Sequence, residues 1–159
     1  MKRLLILLAL LFNTACADDA TAPAAGGSSV VRVRSQTSFG FCAGYCTTEM
    51  LVDSLQARLI SRSFDAERYP TRTVTQTITL QDWRQLTAAI DTARFSRLDP
   101  VYGCPDCADG GAELVELEWG SQRRQVSFEY GKPPAPMQAL RDQIWQLRER
   151  LRDGAGGDR

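Results

Sequence analysis

The chain has 159 residues, 43% hydrophobic and 24% charged, with 19 basic and 19 acidic side chains and no histidine. The missing imidazole excludes Ser-His-Asp and Cys-His catalysis, histidine metal sites and imidazole pH switches. The charge balance lacks the basic excess of a nucleic-acid binder, and the length accommodates one domain of ordinary size.

Met1-Lys2-Arg3 is a short positive start, and residues 4–12 (LLILLALLF) are unbroken apolar. That run is too short to span a bilayer as a helix. A basic start, a short apolar stretch and the small residues after it predict a secretory signal peptide over 1–15. Asn13-Thr14-Ala15-Cys16 resembles the lipobox of bacterial lipoproteins, whose cysteine is acylated and becomes the new N-terminus; Asn13 departs from the aliphatic residue usual there. The expectation is lipidation at Cys16, with simple cleavage after Ala17 as the alternative. The lipobox resemblance also implies an address. Alanine rather than aspartate follows the cysteine, which points to the outer membrane facing the periplasm; a soluble periplasmic or secreted protein is the alternative.

Residues 16–29 (CADDATAPAAGGSS) hold no large apolar side chain. Such a segment cannot bury enough surface to offset its ordering entropy and reads as a flexible tether. Residues 153–159 (DGAGGDR) read as a disordered tail for the same reason, which leaves 30–152 as a single domain.

Within that domain 30–34 (VVRVR) predicts a strand with Val31 and Val33 on one face. Residues 38–46 (SFGFCAGYC) form a glycine-punctuated aromatic loop. Residues 49–52 and 57–64 are two strands joined around Asp53-Ser54. Residues 71–80 alternate threonine with Val74, Ile78 and Leu80, a strong strand pattern. A helix follows, capped by Thr79 with Asp82 as the reciprocal partner, and Trp83, Leu86, Ile90 and Ala93 share its inner face. Residues 114–119 and 126–130 form a hairpin across Gly120-Ser121-Gln122, with Val115, Leu117, Trp119, Val126 and Phe128 on one side. A last helix starts at or just after Pro136 with the stripe Met137, Leu140, Ile144, Leu147 and Leu151. The expected fold is α+β: an antiparallel sheet of five to six strands with two helices packed on one face.

Phe39-Gly40-Phe41-Cys42 with Tyr45, then Cys104 to Cys107, then Tyr130-Gly131-Lys132-Pro133, occur in that order around these elements. This arrangement resembles a family of bacterial secreted and lipid-anchored domains of unknown function over roughly residues 30–152. Ser38 stands where many members carry a further cysteine, and Cys46 is placed differently. The resemblance implies a fold and a compartment, and no activity.

Four cysteines remain in the domain, as Cys42/Cys46 and Cys104/Cys107. An oxidising compartment favours disulfides; two short spacings also suit a four-thiolate zinc site; and a C-x-x-C can be redox-active when a helix N-terminus stabilises its first thiolate. A strand rather than a helix follows Cys107. The expectation is that all four are oxidised. Three connectivities are open, with a lean to local pairing because short rings close quickly.

Other patterns have simpler readings. Threonines 71–79 suit the solvent side of a sheet. Lys132 is the only lysine beyond Lys2, and the arginines are scattered among acids as on an ordinary surface. Arg148, Arg150 and Arg152 complement a helix C-terminus. Glu116 and Glu118 share a strand face compatible with acid-base work, but most simply face water, paired with Arg123 or Arg124. The sequence therefore predicts no catalytic residues, no cofactor and no metal. It predicts a non-enzymatic binding or structural module held to the membrane by an N-terminal lipid, with an envelope protein as its partner. A zinc-binding or thiol-redox envelope protein is the alternative.

Overall fold

The computed structural model describes residues 29–154. Signal peptide, Cys16 and nearly all of the tether lie outside the described residues, as does the tail beyond Gly154. No helix among the described residues is long and apolar enough to cross a membrane.

The fold is α+β. A meander of four strands opens it: β1 (Val30–Ser38), β2 (Thr47–Asp53), β3 (Gln56–Arg62) and β4 (Arg72–Thr77). Helices α1 (Leu80–Ala88) and α2 (Thr92–Phe95) follow, then strand β5 (Val101–Tyr102), the hairpin β6 (Ala112–Trp119) and β7 (Gln122–Glu129), and helix α3 (Gln138–Gly154). The strands make one sheet in the order β4-β3-β2-β1-β6-β7-β5.

Two features depart from the expected sheet. It has seven strands, and it is mixed, because β5 runs parallel to β7. β5 is two residues long, too short to show any period, and is held where Ser127 N–H donates to the Pro100 carbonyl at 2.9 Å. The helical stretch also divides. The expected capping box is present, with Thr79 and Asp82 each bonded to the other's backbone N–H. α1 nevertheless ends at Ala88, and the Asp91 carboxylate accepts from Arg94 N–H at 2.9 Å to cap a separate α2. Ala93 is consequently exposed rather than on the shared inner face. Leu80 begins α1 instead of ending a strand, and is half exposed.

One face of the sheet is covered by the helices. Val33, Met50, Val52, Leu59, Val115, Leu117, Val126 and Phe128 pack there against Leu86, Phe95, Met137, Leu140, Ile144, Leu147 and Leu151. The expected α3 stripe is thus the buried one, and α3 runs on through Asp153 and Gly154, past the expected boundary at 152. Val31 is exposed, because the β1–β6 register shifts between Val30 and Arg32. β1 also extends beyond Arg34. Ser35 and Thr37 are polar, yet they alternate with Val33 on the inner face and are buried.

The opposite face is a lattice of ion pairs. Glu49 lies between Arg34 (2.6 Å) and Arg62 (2.7 Å), and Arg123 reaches Glu116 at 2.9 Å. Arg32 joins Asp53 and Glu118. Glu116 does not face open water as expected: it is only 5% exposed beneath these guanidinium groups. Arg124 points to the inner side, where it donates to the Leu98 carbonyl.

Candidate functional site: the pole of the two cysteine loops

β1 fixes two ends of the molecule. Val30 pairs with Trp119 at one end and Ser38 with Ala112 at the other. Its nine residues separate these poles by about 26 Å at ~3.3 Å per residue.

Both cysteine loops lie at the Ser38 pole. The first, residues 39–46, is closed by Phe39 N–H donating to the Cys46 carbonyl at 3.0 Å, and Cys46 N–H donates to the Arg62 carbonyl at 2.9 Å. Cys42 and Cys46 are a disulfide pair with Cα atoms 5.5 Å apart. The second loop, residues 103–111, has Cys104 and Cys107 paired at the same Cα separation of 5.5 Å. Pairing is therefore local in both loops. Cys46 is buried while Cys104 and Cys107 are exposed.

The loops meet through Asp106. Its carboxylate accepts from Gly40 N–H at 3.1 Å, and a Cβ on Gly40 would lie 2.7 Å from the same carboxylate. Gly111 has φ +82°, and a Cβ there would stand 2.5 Å from the Phe39 ring. Asp106, Ala108 and Asp109 are also left-handed. Each such non-glycine residue costs on the order of 1 kcal/mol, so this loop is held by its closures rather than by backbone preference.

Beneath the loops the aromatic motifs join. Phe39 and Tyr130 pack edge to face at 4.9 Å, and Tyr130 meets Trp145 of α3 at 6.0 Å. Glu113 is the polar centre. It accepts from Gly131 N–H at 2.9 Å, from Trp145 Nε1–H at 3.3 Å, and from the Arg141 guanidinium through two contacts. Arg148 is buried beside it, donating to Ser35 and Thr37 hydroxyls, with its cation 5.2 Å from the Trp145 ring. Burial pulls the Arg148 pKa below its ordinary value. It does not decorate a helix terminus as expected; it bonds the polar half of β1 to α3. A recess of about 240 Å³ beside Cys104, Cys107 and Tyr130 is rimmed by Glu129 and Lys132, which pair with each other. The Lys132 ammonium and then Cys104 N–H hold the Glu129 carboxyl below the usual carboxylate range.

The outer rim is aromatic and cationic. Phe41 is 85% exposed on the first loop, and Phe64, two residues past β3, is 70% exposed. Tyr45 and Tyr69 pack edge to face, with Arg72 over Tyr45 and Arg68 over Tyr69. The sequence places Cys42, Cys46, Cys104, Cys107, Phe39, Gly40, Tyr130 and Gly131 in separate loops, and the fold gathers them. The roles of Asp106, Glu113 and Arg148 escape motif reading. Glu113 does carry a signal, since it shares parity with Val115, Leu117 and Trp119 and so must face inward. Among the described residues no three Cys, Asp or Glu side chains converge as a metal site would require. No protein-family model matches the chain, and no curated protein matches it either. The likeness to lipid-anchored domains rests on the quoted motifs alone.

Proposed function

We propose that the protein is a lipid-anchored bacterial envelope domain that works as a non-enzymatic binding module. In this reading Cys16 carries the lipid, and the cysteine-loop pole binds an envelope protein. The supporting observation is polar: the chain enters the sheet at Val30, while both disulfide loops and the exposed Phe41 and Phe64 lie at the far end of β1. A tether attached at one end leaves the other free to meet a partner. Aromatic side chains, phenylalanine included, and arginines are enriched in the cores of protein–protein interfaces, and closed loops lose little entropy when they dock.

Cys16→Ser should move the chain from the membrane fraction to the soluble periplasm, with the acyl mass lost from the N-terminal peptide. Unchanged membrane association without a lipid would defeat the anchor. A photocrosslinking residue at Phe41 should capture an envelope protein that the same group at Leu55, at the opposite pole, does not; equal capture from both would defeat the binding pole. The thiol-redox alternative draws on one observation, the exposure of Cys104 and Cys107. The zinc alternative would require both pairs to be reduced and brought together.

A further inference from the structure

The two edges of the sheet are unlike. The β5 edge has two residues between Pro100 and Gly103, and short strands beside proline resist further pairing. The β4 edge has six residues, RTVTQT, with no proline, no glycine and a single charge at Arg72. Hydrogen-bond phase shows which backbone groups it leaves without a partner among the described residues. Ile78 N–H donates to the Leu55 carbonyl at 2.9 Å, so Ile78 and, by alternation, Gln76, Val74 and Arg72 are the hydrogen-bonded partners of β3. In an antiparallel ladder the intervening residues turn their N–H and C=O outward. These are Thr73, Thr75 and Thr77, each exposed and on the open face.

Those three positions are symmetric about Thr75. We propose that β4 pairs antiparallel with β4 of a second copy of this chain, across a two-fold axis at Thr75. Thr75 then exchanges both hydrogen bonds with its copy, and Thr73 does the same with Thr77, which satisfies every outward group of the strand. Opposite residues fall on the same face, so both sets of helices lie on one side and the threonines continue across the seam. Threonine-threonine pairs are favourable cross-strand neighbours. No like charges face each other, because Arg72 lies opposite Ile78. On the inner side Val74 meets Gln76, whose amide already donates to the Leu151 carbonyl at the end of α3. A strand from another protein could use the same groups, but it would lack this built-in register, which is why a second copy is the occupant.

Single cysteines at the seam test the register in the full chain, in whichever cellular fraction carries it, with a short bifunctional thiol reagent. Thr75→Cys should crosslink to itself, since the paired Cα atoms would be about 5.5 Å apart. Thr73→Cys alone and Thr77→Cys alone should not, because each lies about 14 Å from its own copy at ~3.3 Å per residue. Co-expressed, these two variants should crosslink to each other. Thr75→Pro removes an outward donor without touching the β3 ladder. It should raise the dimer dissociation constant at least tenfold by sedimentation while the circular dichroism stays unchanged. A parent chain that stays monomeric, crosslinks that ignore position, or a Thr75→Cys product with a different protein would each overturn the proposal.

Discussion

Glutamate and arginine meet on both faces of the sheet, under opposite conditions. On the open face Glu49 lies between Arg34 and Arg62, and Arg62 is 44% exposed. Under α3, Glu113 and Arg148 are both at most about 4% exposed, and Arg141 has 20% of its side chain in contact with solvent. Water and salt reach the first arrangement through its two arginines, so one guanidinium can be lost cheaply while the other keeps the buried Glu49 carboxylate paired. The second is closed over by Trp145 and Tyr130, where a charge without its partner has nowhere to go. The same residue types therefore tune the surface on one side and lock the helix to the sheet on the other.

The sharpest way to break this contrast is Glu113→Ala, which strands Arg141 and removes the acid beside the buried Arg148, and should cost about 3–5 kcal/mol in chemical denaturation. Glu113→Gln keeps an acceptor for Gly131 and Trp145 and should recover part of that loss. If Glu113→Ala costs no more than a surface pair, the inner cluster is not the lock described. Leu147→Ala, on the apolar stripe of the same helix, should cost about 3 kcal/mol from the cavity it opens. Gln146→Ala, exposed one residue earlier, should stay within about 0.5 kcal/mol.

Glu49→Gln should cost about 1 kcal/mol at neutral pH, and its pH dependence sharpens the comparison further. Burial pushes the Glu49 carboxyl up, but the hydrogen bonds from Arg34 and Arg62 outweigh it and hold the folded pKa below the ordinary carboxylate value. Its contribution is thus complete above the unfolded pKa and fades as pH falls through the folded one. Asp82 behaves alike, lowered by its bond to Thr79 and by Arg150. Glu49→Gln should flatten the acid limb of the stability curve and leave the alkaline limb in place, read as denaturation midpoints across pH. A wild-type acid limb in the variant would remove the charge pairing from the account.

What was legible in the sequence was whatever a local period carries. The α3 stripe, the Thr79 capping box and the six long strands all follow from spacing of three, four or two residues. Two of the misses depend on long-range partners, and the third on a single local bond. Ser35 and Thr37 look like loop residues until Arg148, more than a hundred positions away, supplies their hydrogen bonds. β5 has no period to read, and the break at Asp91 is decided by one side-chain bond inside an apolar pattern that would equally well continue. The candidate pole was visible as motifs but not as a place, because its loops come together through Asp106, the Phe39–Gly111 contact and the β1–β6 pairing.

That pairing also sets an order of assembly. β1 to β4 form a meander of neighbours, available as soon as the first half of the chain emerges, and each disulfide ring closes within three or four positions of sequence. The other side of β1 must wait for β6, and Arg32 meets Glu118 across 86 positions. Closing so long a loop comes late and slows folding. Until then one flank of the central strand, with its polar inner residues and no arginine to receive them, stands open, and a nascent chain is most vulnerable to the wrong strand partner during that interval.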